Sequence, residues 1–477
     1  MFFCSFSLFF LLLSLPSALS VLTLIATSNN LGHANKQTIP PSHHDQIHFS
    51  NDNIQLPPSE AETLLNIMES MSSDQAWKTS YPHPCQPDSS WPGIECKVGN
   101  DNRFHVSRLD FGTFPYPACK KTASFPSQIF ALPYLQSVFF FDCFTLTKTT
   151  LSVPEATVFN SSLQQLSLRS NPALTGSIPP QISKLKSLKI LTLSQNNLSG
   201  KIPVEIFSLN SLVHLDLSYN LLSGTIPNQL GNLKSLVGLD LSYNKLSGTI
   251  PNTIGRLGQL QKLDLSSNLL TGGIPDGIGQ LSVLDFMALS NNQLNKQFPE
   301  GIEKLQSLQY FIMDDNPMSV PLPLGLGKLV KLQELRLADS GYSGTIPETF
   351  SQLKSLTTLS LPNNRLTGEI PVGFGGLSHI YHLNLSRNLL GGIVPFNISF
   401  LNRLGRNLDL SGNPSLCLSP SEAYSVKVGV NICGRMKNGS ASQPLMSSHS
   451  PSHQPPHPFF MLSTFGVLVL HQILLFM

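Results

Sequence analysis

Leucine and isoleucine occupy fixed columns along most of this chain. Leu185, Leu188, Leu191, Leu193, Leu198 and Ile202 stand in the same relative places as Leu209, Leu212, Leu215, Leu217, Leu222 and Ile226, and the alignment continues through ten or eleven segments. One polar column is as constant as the apolar ones: Asn196, Asn220, Asn244, Asn268, Asn292, Asn316, Asn364 and Asn388 lie on a single 24-residue lattice. A period of this length marks a solenoid, in which each turn is one structural unit stacked on the last. The first turn, Leu163 to Pro179, and the last, Leu401 to Asn413, each carry one extra residue, as end repeats with a single neighbour do.

Within a turn, Leu-x-x-Leu-x-Leu alternates apolar and polar residues before a turn signal, which predicts a short strand. Successive strands then form one parallel sheet. Downstream, Ser-Gly-x-Ile-Pro combines a glycine free to take positive φ with a proline that cannot continue a helix, so loops and short helical turns are expected on the outer side. No single turn has enough apolar residues to enclose a core, so stability is collective. Each fully buried Leu or Ile contributes roughly 1.5 to 3 kcal/mol, which makes the leucine columns the main driving force. The lattice asparagine sits where the chain leaves the strand, with an amide able to satisfy backbone groups of adjacent turns. The fold class expected is therefore α/β, a leucine-rich repeat solenoid with a parallel β-sheet on the concave face of a right-handed superhelix.

The flanks point to export. Phe6 to Leu15 is apolar, followed by Pro16 and the triplet Ala18, Leu19, Ser20, so residues 1–20 read as a signal peptide. Residues 21–58 are polar and carry scattered histidines, as in a linker; 59–150 hold an amino-terminal cap and first degenerate turns; 151–413 are repeats; 414–433 form a carboxy-terminal cap. Residues 434–458 are rich in Ser, Pro and His, and the tail 459–477 is apolar to its last residue. Small residues, a polar spacer and a hydrophobic tail together resemble a glycosylphosphatidylinositol signal, with a single transmembrane helix of minimal length as the alternative. Six cysteines beyond Cys4 form local pairs at the ends of the array: Cys85 with Cys96, Cys119 with Cys143, and Cys417 with Cys433. Capping disulfides there would shield leucines that lack a neighbouring turn. Zinc is the competing use, but the spacings do not match a zinc site. Asn-x-Ser acceptors at Asn160, Asn197, Asn384, Asn397 and Asn438 are expected to carry glycans on an exported chain. A formal net charge of +2 and only 12% charged residues argue against nucleic-acid binding.

The stretch Leu233 to Pro251, Leu-x-x-Leu-x-x-Leu-x-Leu-Ser-x-Asn-x-Leu-Ser-Gly-x-Ile-Pro, resembles the plant extracellular type of leucine-rich repeat. Together with the segment Cys85 to Cys96 and the apolar tail, the chain is similar to receptor-like proteins without a kinase, of the Piriformospora indica-insensitive protein two type, related to Too Many Mouths. That resemblance implies a non-catalytic cell-surface protein in immunity, symbiosis or development. Its implied partners are a protein or peptide ligand, a receptor kinase ectodomain, and the plasma membrane through the carboxy-terminal anchor. No cofactor is implied. The rival expectation is a secreted inhibitor of microbial wall-degrading enzymes; a structural wall protein would need longer Pro-rich segments. Apparent catalytic strings, Ser183 to Lys186 and Gly373 to Gly376, lie between packing columns and outside the strand-to-helix setting their chemistry requires.

With Leu191 and Leu193 inward, Ile190, Thr192, Ser194 and Gln195 are expected on the concave face. In the early turns those columns repeat Asp216, Asp240 and Asp264. In the sixth to eighth they change to Phe286 and Ala288, then Tyr310, Ile312, Asp314 and Asp315, then Glu334, Arg336, Ala338 and Asp339. An exposed aromatic and aliphatic strip bordered by charge is the make-up of an interface. Phe286, Tyr310, Ile312, Asp314, Asp315, Glu334, Arg336 and Asp339 are therefore the candidate partner-binding residues. A glycan on Asn384 would crowd the same face further along.

Overall fold

The computed structural model describes residues 55–72, 76–86, 91–112, 114–154, 161–422 and 429–434. The signal peptide, the linker up to residue 54, Asn160, Asn438, and the spacer and tail from residue 435 lie outside them.

The amino-terminal cap opens with helix α1 (Pro58–Met71), started by a proline whose missing N–H costs nothing in a first turn. Its buried residues Leu64, Ile67, Met68 and Met71 recur at helical spacing along one face. A single turn, α2 (Trp77–Ser80), buries Trp77. Strands β1 (Ile94–Val98) and β2 (Phe104–Phe111) pair antiparallel, and β2 pairs in parallel with β3 (Ser137–Phe141). From β3 onward every neighbour in the 14-stranded sheet is parallel, one strand per turn, ending at Leu408–Asp409. The register places leucine on leucine: Leu191 pairs with Leu215, and Leu215 with Leu239. In three-residue strands such as His214–Asp216, Gly238–Asp240 and Lys262–Asp264 the central residue is buried and its neighbours are half-buried. That is the period-two alternation realised over its minimum length.

After each Ile-Pro, a five-residue 3₁₀ helix forms the outer side, as at Val204–Ser208 and Asn228–Asn232. The strings around Ser183 and Gly373 fall on such helices, Pro180–Lys184 and Val372–Gly376. Among the described residues the last turn departs, with an α-helix, α3 (Ile398–Leu404), capped by the Asn397 side chain on the Phe400 N–H. This helix accounts for the extra residue there. Among the described residues no helix is long and apolar enough to cross a membrane.

The Leu-Ser-Gly segments, expected as loops, are strands instead. Asn197–Lys201, Leu221–Thr225, Lys245–Thr249 and Leu269–Gly272 belong to a second, 7-stranded sheet along one flank. A side chain of the preceding strand lies close over each glycine: a Cβ on Gly248, whose φ is +77°, would meet Thr225 Cγ2 at 2.9 Å. Glycine there permits both the left-handed conformation and the approach.

The asparagine ladder behaves as expected. Asn268 Nδ2 donates to the carbonyls of Leu241 at 3.0 Å, Leu265 at 3.2 Å and Ser266 at 3.2 Å, while its Oδ1 accepts the Leu246 N–H at 3.0 Å. Where the lattice holds Ser340, the shorter hydroxyl reaches the Ala338 carbonyl at 2.7 Å, and the Met318 N–H turns to its own Asn316 carbonyl. At this point the flank sheet breaks: the 7-stranded part ends at Gln293–Leu294 and a 5-stranded part begins at Ser343–Thr345, with Pro317 and Pro321 between them. Proline removes the ladder donors a continuous sheet needs.

The ends are closed as the cysteine spacing predicts, by Cys85–Cys96, Cys119–Cys143 and Cys417–Cys433. An ionic clasp also ties α1 to β2. The buried His105 ring bonds Glu60 Oε2 through Nδ1 at 2.8 Å and Asp101 Oδ1 through Nε2 at 3.0 Å, while Glu60 Oε1 accepts the Val106 N–H at 2.8 Å.

Candidate partner-binding face

The concave sheet places the eight candidate residues on three adjacent strands, Phe286–Ala288, Tyr310–Ile312 and Glu334–Arg336, and on the turns that follow them. Phe286, Tyr310 and Glu334 stack in register in one column, and Ala288, Ile312 and Arg336 in the next. Phe286, Tyr310, Glu334 and Arg336 are half-buried, and Asp315 and Asp339 are exposed. The last two hold φ of +56° and +52°, the left-handed position that closes each strand and that Asp and Asn tolerate better than most residues.

Ile312 and Asp314 differ from expectation: each is only 7% exposed, as Ala288 and Ala338 also are buried. The serine column behaves alike, with Ser194, Ser218 and Ser242 buried. The strand ends one residue after its central leucine, so extrapolating the alternation one step further puts this column under the turn. Asp314 is a bracket between turns. Its Oδ1 accepts the Ala338 N–H at 2.7 Å, its Oδ2 accepts from Arg336 Nε at 3.0 Å, and its own N–H donates to Ser290 Oγ at 3.0 Å. Burial raises its pKa, against the lowering effect of the Ala338 N–H and the Arg336 guanidinium.

The electrostatics are crowded with acid. Arg336 lies 3.8 Å from Glu334 as well as on Asp314. Burial pushes Glu334 up, with Arg336 opposing; burial and the neighbouring Asp339 and Asp314 push Asp315 up. The aromatic part is fixed from both sides. Phe286 and Tyr310 rings lie 6.2 Å apart, Tyr310 Oη donates to Gln333 Oε1 at 3.2 Å, and Lys262 Nζ stands 5.7 Å from the Phe286 centroid. Lys262 and Gln333 escaped the sequence reading, although their columns were readable: Lys262 precedes Phe286 in the same register. The face offers two aromatic surfaces, one guanidinium partly engaged by carboxylates, and an acidic rim, which is equipment for recognition through contact.

The Asn-x-Ser sequences within the described residues lie apart from these strands. Asn197 is exposed on the flank sheet, Asn397 is exposed at the start of α3, and Asn384 is half-buried on the concave strand His382–Asn384 with its Oδ1 accepting from Ser386.

Residues 161–222, 211–270 and 330–390 match the leucine rich repeat family model. Receptor like protein 29 of Arabidopsis thaliana is 70% identical over 141 residues, covering 30% of this chain and 30% of that protein. Piriformospora indica-insensitive protein 2 of Arabidopsis thaliana is 35% identical over 144 residues, covering 29% of this chain and 32% of that protein. Aligned segments thus span about a third of the curated relatives. Among solved structures, the Arabidopsis receptor kinase HAESA in complex with the peptide hormone IDA and the co-receptor SERK1 superposes with a TM-score of 0.63 at 27% identity, covering 79% of this chain and 62% of that one.

Proposed function

We propose that this chain, which belongs to the plant extracellular leucine-rich repeat receptor-like proteins, recognises a peptide or a partner receptor ectodomain through its concave sheet and performs no catalysis itself. One observation carries the reading. The sheet face changes, over three consecutive strands, from the column Asp216, Asp240 and Asp264 to Phe286, Tyr310, Glu334 and Arg336, while the central column beneath stays buried, apolar and in register as Met287, Phe311 and Leu335. Met287, Phe311 and Met313 still supply the apolar bulk that packing asks of the buried columns, whereas packing places no demand for aromatic rings and charges on the facing ones, so the facing strip has its cause outside the core. The related HAESA ectodomain is seen with a peptide hormone and a co-receptor, which supports a partner of that kind here.

Export, glycans on the five Asn-x-Ser sites and a lipid anchor at the plasma membrane complete the proposal, on the sequence features of the two ends. Tagged full-length chain is expressed in plant cells and its co-purifying membrane proteins are identified. A receptor kinase with a leucine-rich repeat ectodomain is expected, and Phe286→Ala with Tyr310→Ala should release it. Retention of the same partner by a folded double variant would refute the face. Phosphatidylinositol-specific phospholipase should free the chain from membranes; a chain that only detergent extracts has a transmembrane helix instead.

A further inference from the structure

Over the three turns before that face, the same sheet carries a surface of different chemistry. The strands His214–Asp216, Gly238–Asp240 and Lys262–Asp264 stack three carboxylates in register, Asp216 on Asp240 on Asp264. At the left-handed position that closes the first two strands stand Tyr219 and Tyr243, with φ of +52° and +50°. Other turns place Ser170, Gln195, Ser267 or Asn291 there, residues that meet this conformation at less cost than a bulky ring. The two tyrosine rings stack at 4.1 Å with an interplanar angle of 10°, and each residue remains 47% exposed. They lie in the field of the acids: burial, Tyr243 and the carboxylates of Asp240 and Asp264 all push the Tyr219 hydroxyl far above the ordinary range.

The opposite end of the stack shows what such an arrangement accepts. Lys262 Nζ sits 3.4 Å from Asp240 Oδ2 and 5.7 Å from the Phe286 centroid, a cation held between a carboxylate and an aromatic ring. Three carboxylates face this one ammonium. Burial and the nearby Lys262 push the His214 pKa down, which disfavours a second cation here. Burial and mutual repulsion raise Asp216, and hold Asp264 at about 6. Gly238 makes room for the His214 ring, since a Cβ there would meet His214 Nδ1 at 2.7 Å.

We propose that the sheet face over Asp216, Asp240, Tyr219 and Tyr243 docks an arginine side chain of a peptide ligand, the guanidinium lying on the stacked tyrosines and paired with the carboxylates. Arginine matches both partners at once, with a planar face for the rings and a fork of donors for the acids. The assignment rests on the reading that the concave face receives a peptide, and adds to it the charge of the segment bound at this end.

The test uses the full-length protein and two synthetic peptides, Ac-Gly-Arg-Gly-Arg-Gly-amide and its neutral citrulline twin, with binding followed by saturation-transfer NMR. The arginine peptide is expected to bind at least roughly tenfold more tightly than the citrulline peptide, and to weaken as salt rises. Tyr219→Ala with Tyr243→Ala, and separately Asp240→Asn, should each abolish that preference, whereas Tyr219→Phe with Tyr243→Phe, which keeps the rings, should retain it. Equal binding of the two peptides, or an unchanged preference in the folded Ala pair, overturns the inference. Partner capture separates this from the broader reading. If capture is lost in the Phe286/Tyr310 variant while the arginine preference is absent, this inference alone fails. If capture survives substitution at both places, the concave-face reading fails as well.

Discussion

Truncating Glu60 to alanine is expected to open the amino-terminal cap while leaving the repeats folded. Glu60 is 5% exposed and reaches from α1 to β2 with both carboxylate oxygens, one on His105 Nδ1 and one on the Val106 N–H. Alanine would leave an imidazole nitrogen and a backbone amide buried without partners. At about 1 to 3 kcal/mol for each group, the two together cost roughly 2 to 6 kcal/mol. A turn in the middle of a solenoid shares such a loss with two neighbours, but a cap has one, so the opening should stay local.

The clasp also makes cap stability depend on pH. Burial works against a charged His105, but its hydrogen bonds to Asp101 and Glu60 and their negative charges outweigh that, and the net shift is upward from 6.5. A folded pKa above the unfolded one means that the stabilisation is complete below the unfolded value and is lost as pH rises through the folded one. Asp101 acts in the opposite sense: its bond to His105 lowers it below 3.8, so its contribution is present above that value and disappears as pH falls through the lowered one. Protection should therefore be greatest in weakly acidic buffer. Hydrogen exchange of peptides covering α1 and β2, corrected for intrinsic rates, measures it. Wild-type protection should fall from weakly acidic to weakly alkaline buffer, and the Glu60→Ala chain should be loose at both. Wild-type protection that does not change with pH would refute the ionic account and leave packing alone to close the cap.

Asn268→Ala removes the acceptor of the buried Leu246 N–H and the donor to the Leu241 carbonyl, and should lower unfolding stability by about 2 to 5 kcal/mol in a denaturant titration. Cys417→Ser with Cys433→Ser opens a closed segment of sequence separation 16, for which loop entropy gives about 3 kcal/mol, read as earlier proteolysis at the carboxy-terminal cap under non-reducing conditions. Asp314→Ala should destabilise the fold by about 1 to 3 kcal/mol, because it strands the buried Ala338 N–H and leaves the half-exposed Arg336 with Glu334 alone, whereas Phe286→Ala with Tyr310→Ala should leave the melting temperature nearly unchanged and act on partner capture. Equal melting temperatures for these two variants would show that Asp314 is not a bracket.

The contrast between Asp314 and Asp315 shows which parts of the fold a sequence displays. The leucine columns and the asparagine lattice are legible because burial repeats every turn, and a period survives occasional exceptions such as Phe311, Met313 and Ser340. The disulfides are legible because both partners of each pair are near in sequence and the array has only two ends. The flank sheet was not, because Leu221 to Thr225 owes its strand to backbone pairing with the turns on either side, and its Ser-Gly pair reads locally as a bend. Asp314 and Asp315 are adjacent and identical in type, yet one is buried and one exposed. Asp314 follows the last inward side chain and points beneath the turn, where the amide of Ala338 and the guanidinium of Arg336, 24 and 22 residues onward, receive it. Asp315 takes the left-handed step that lifts its side chain clear. Alternation carries no information past the last residue of a strand, and strand length here is set by contacts from the next turn. A facing column can thus be assigned securely from sequence only at the first residue of each three-residue strand, which is where Phe286, Tyr310 and Glu334 stand.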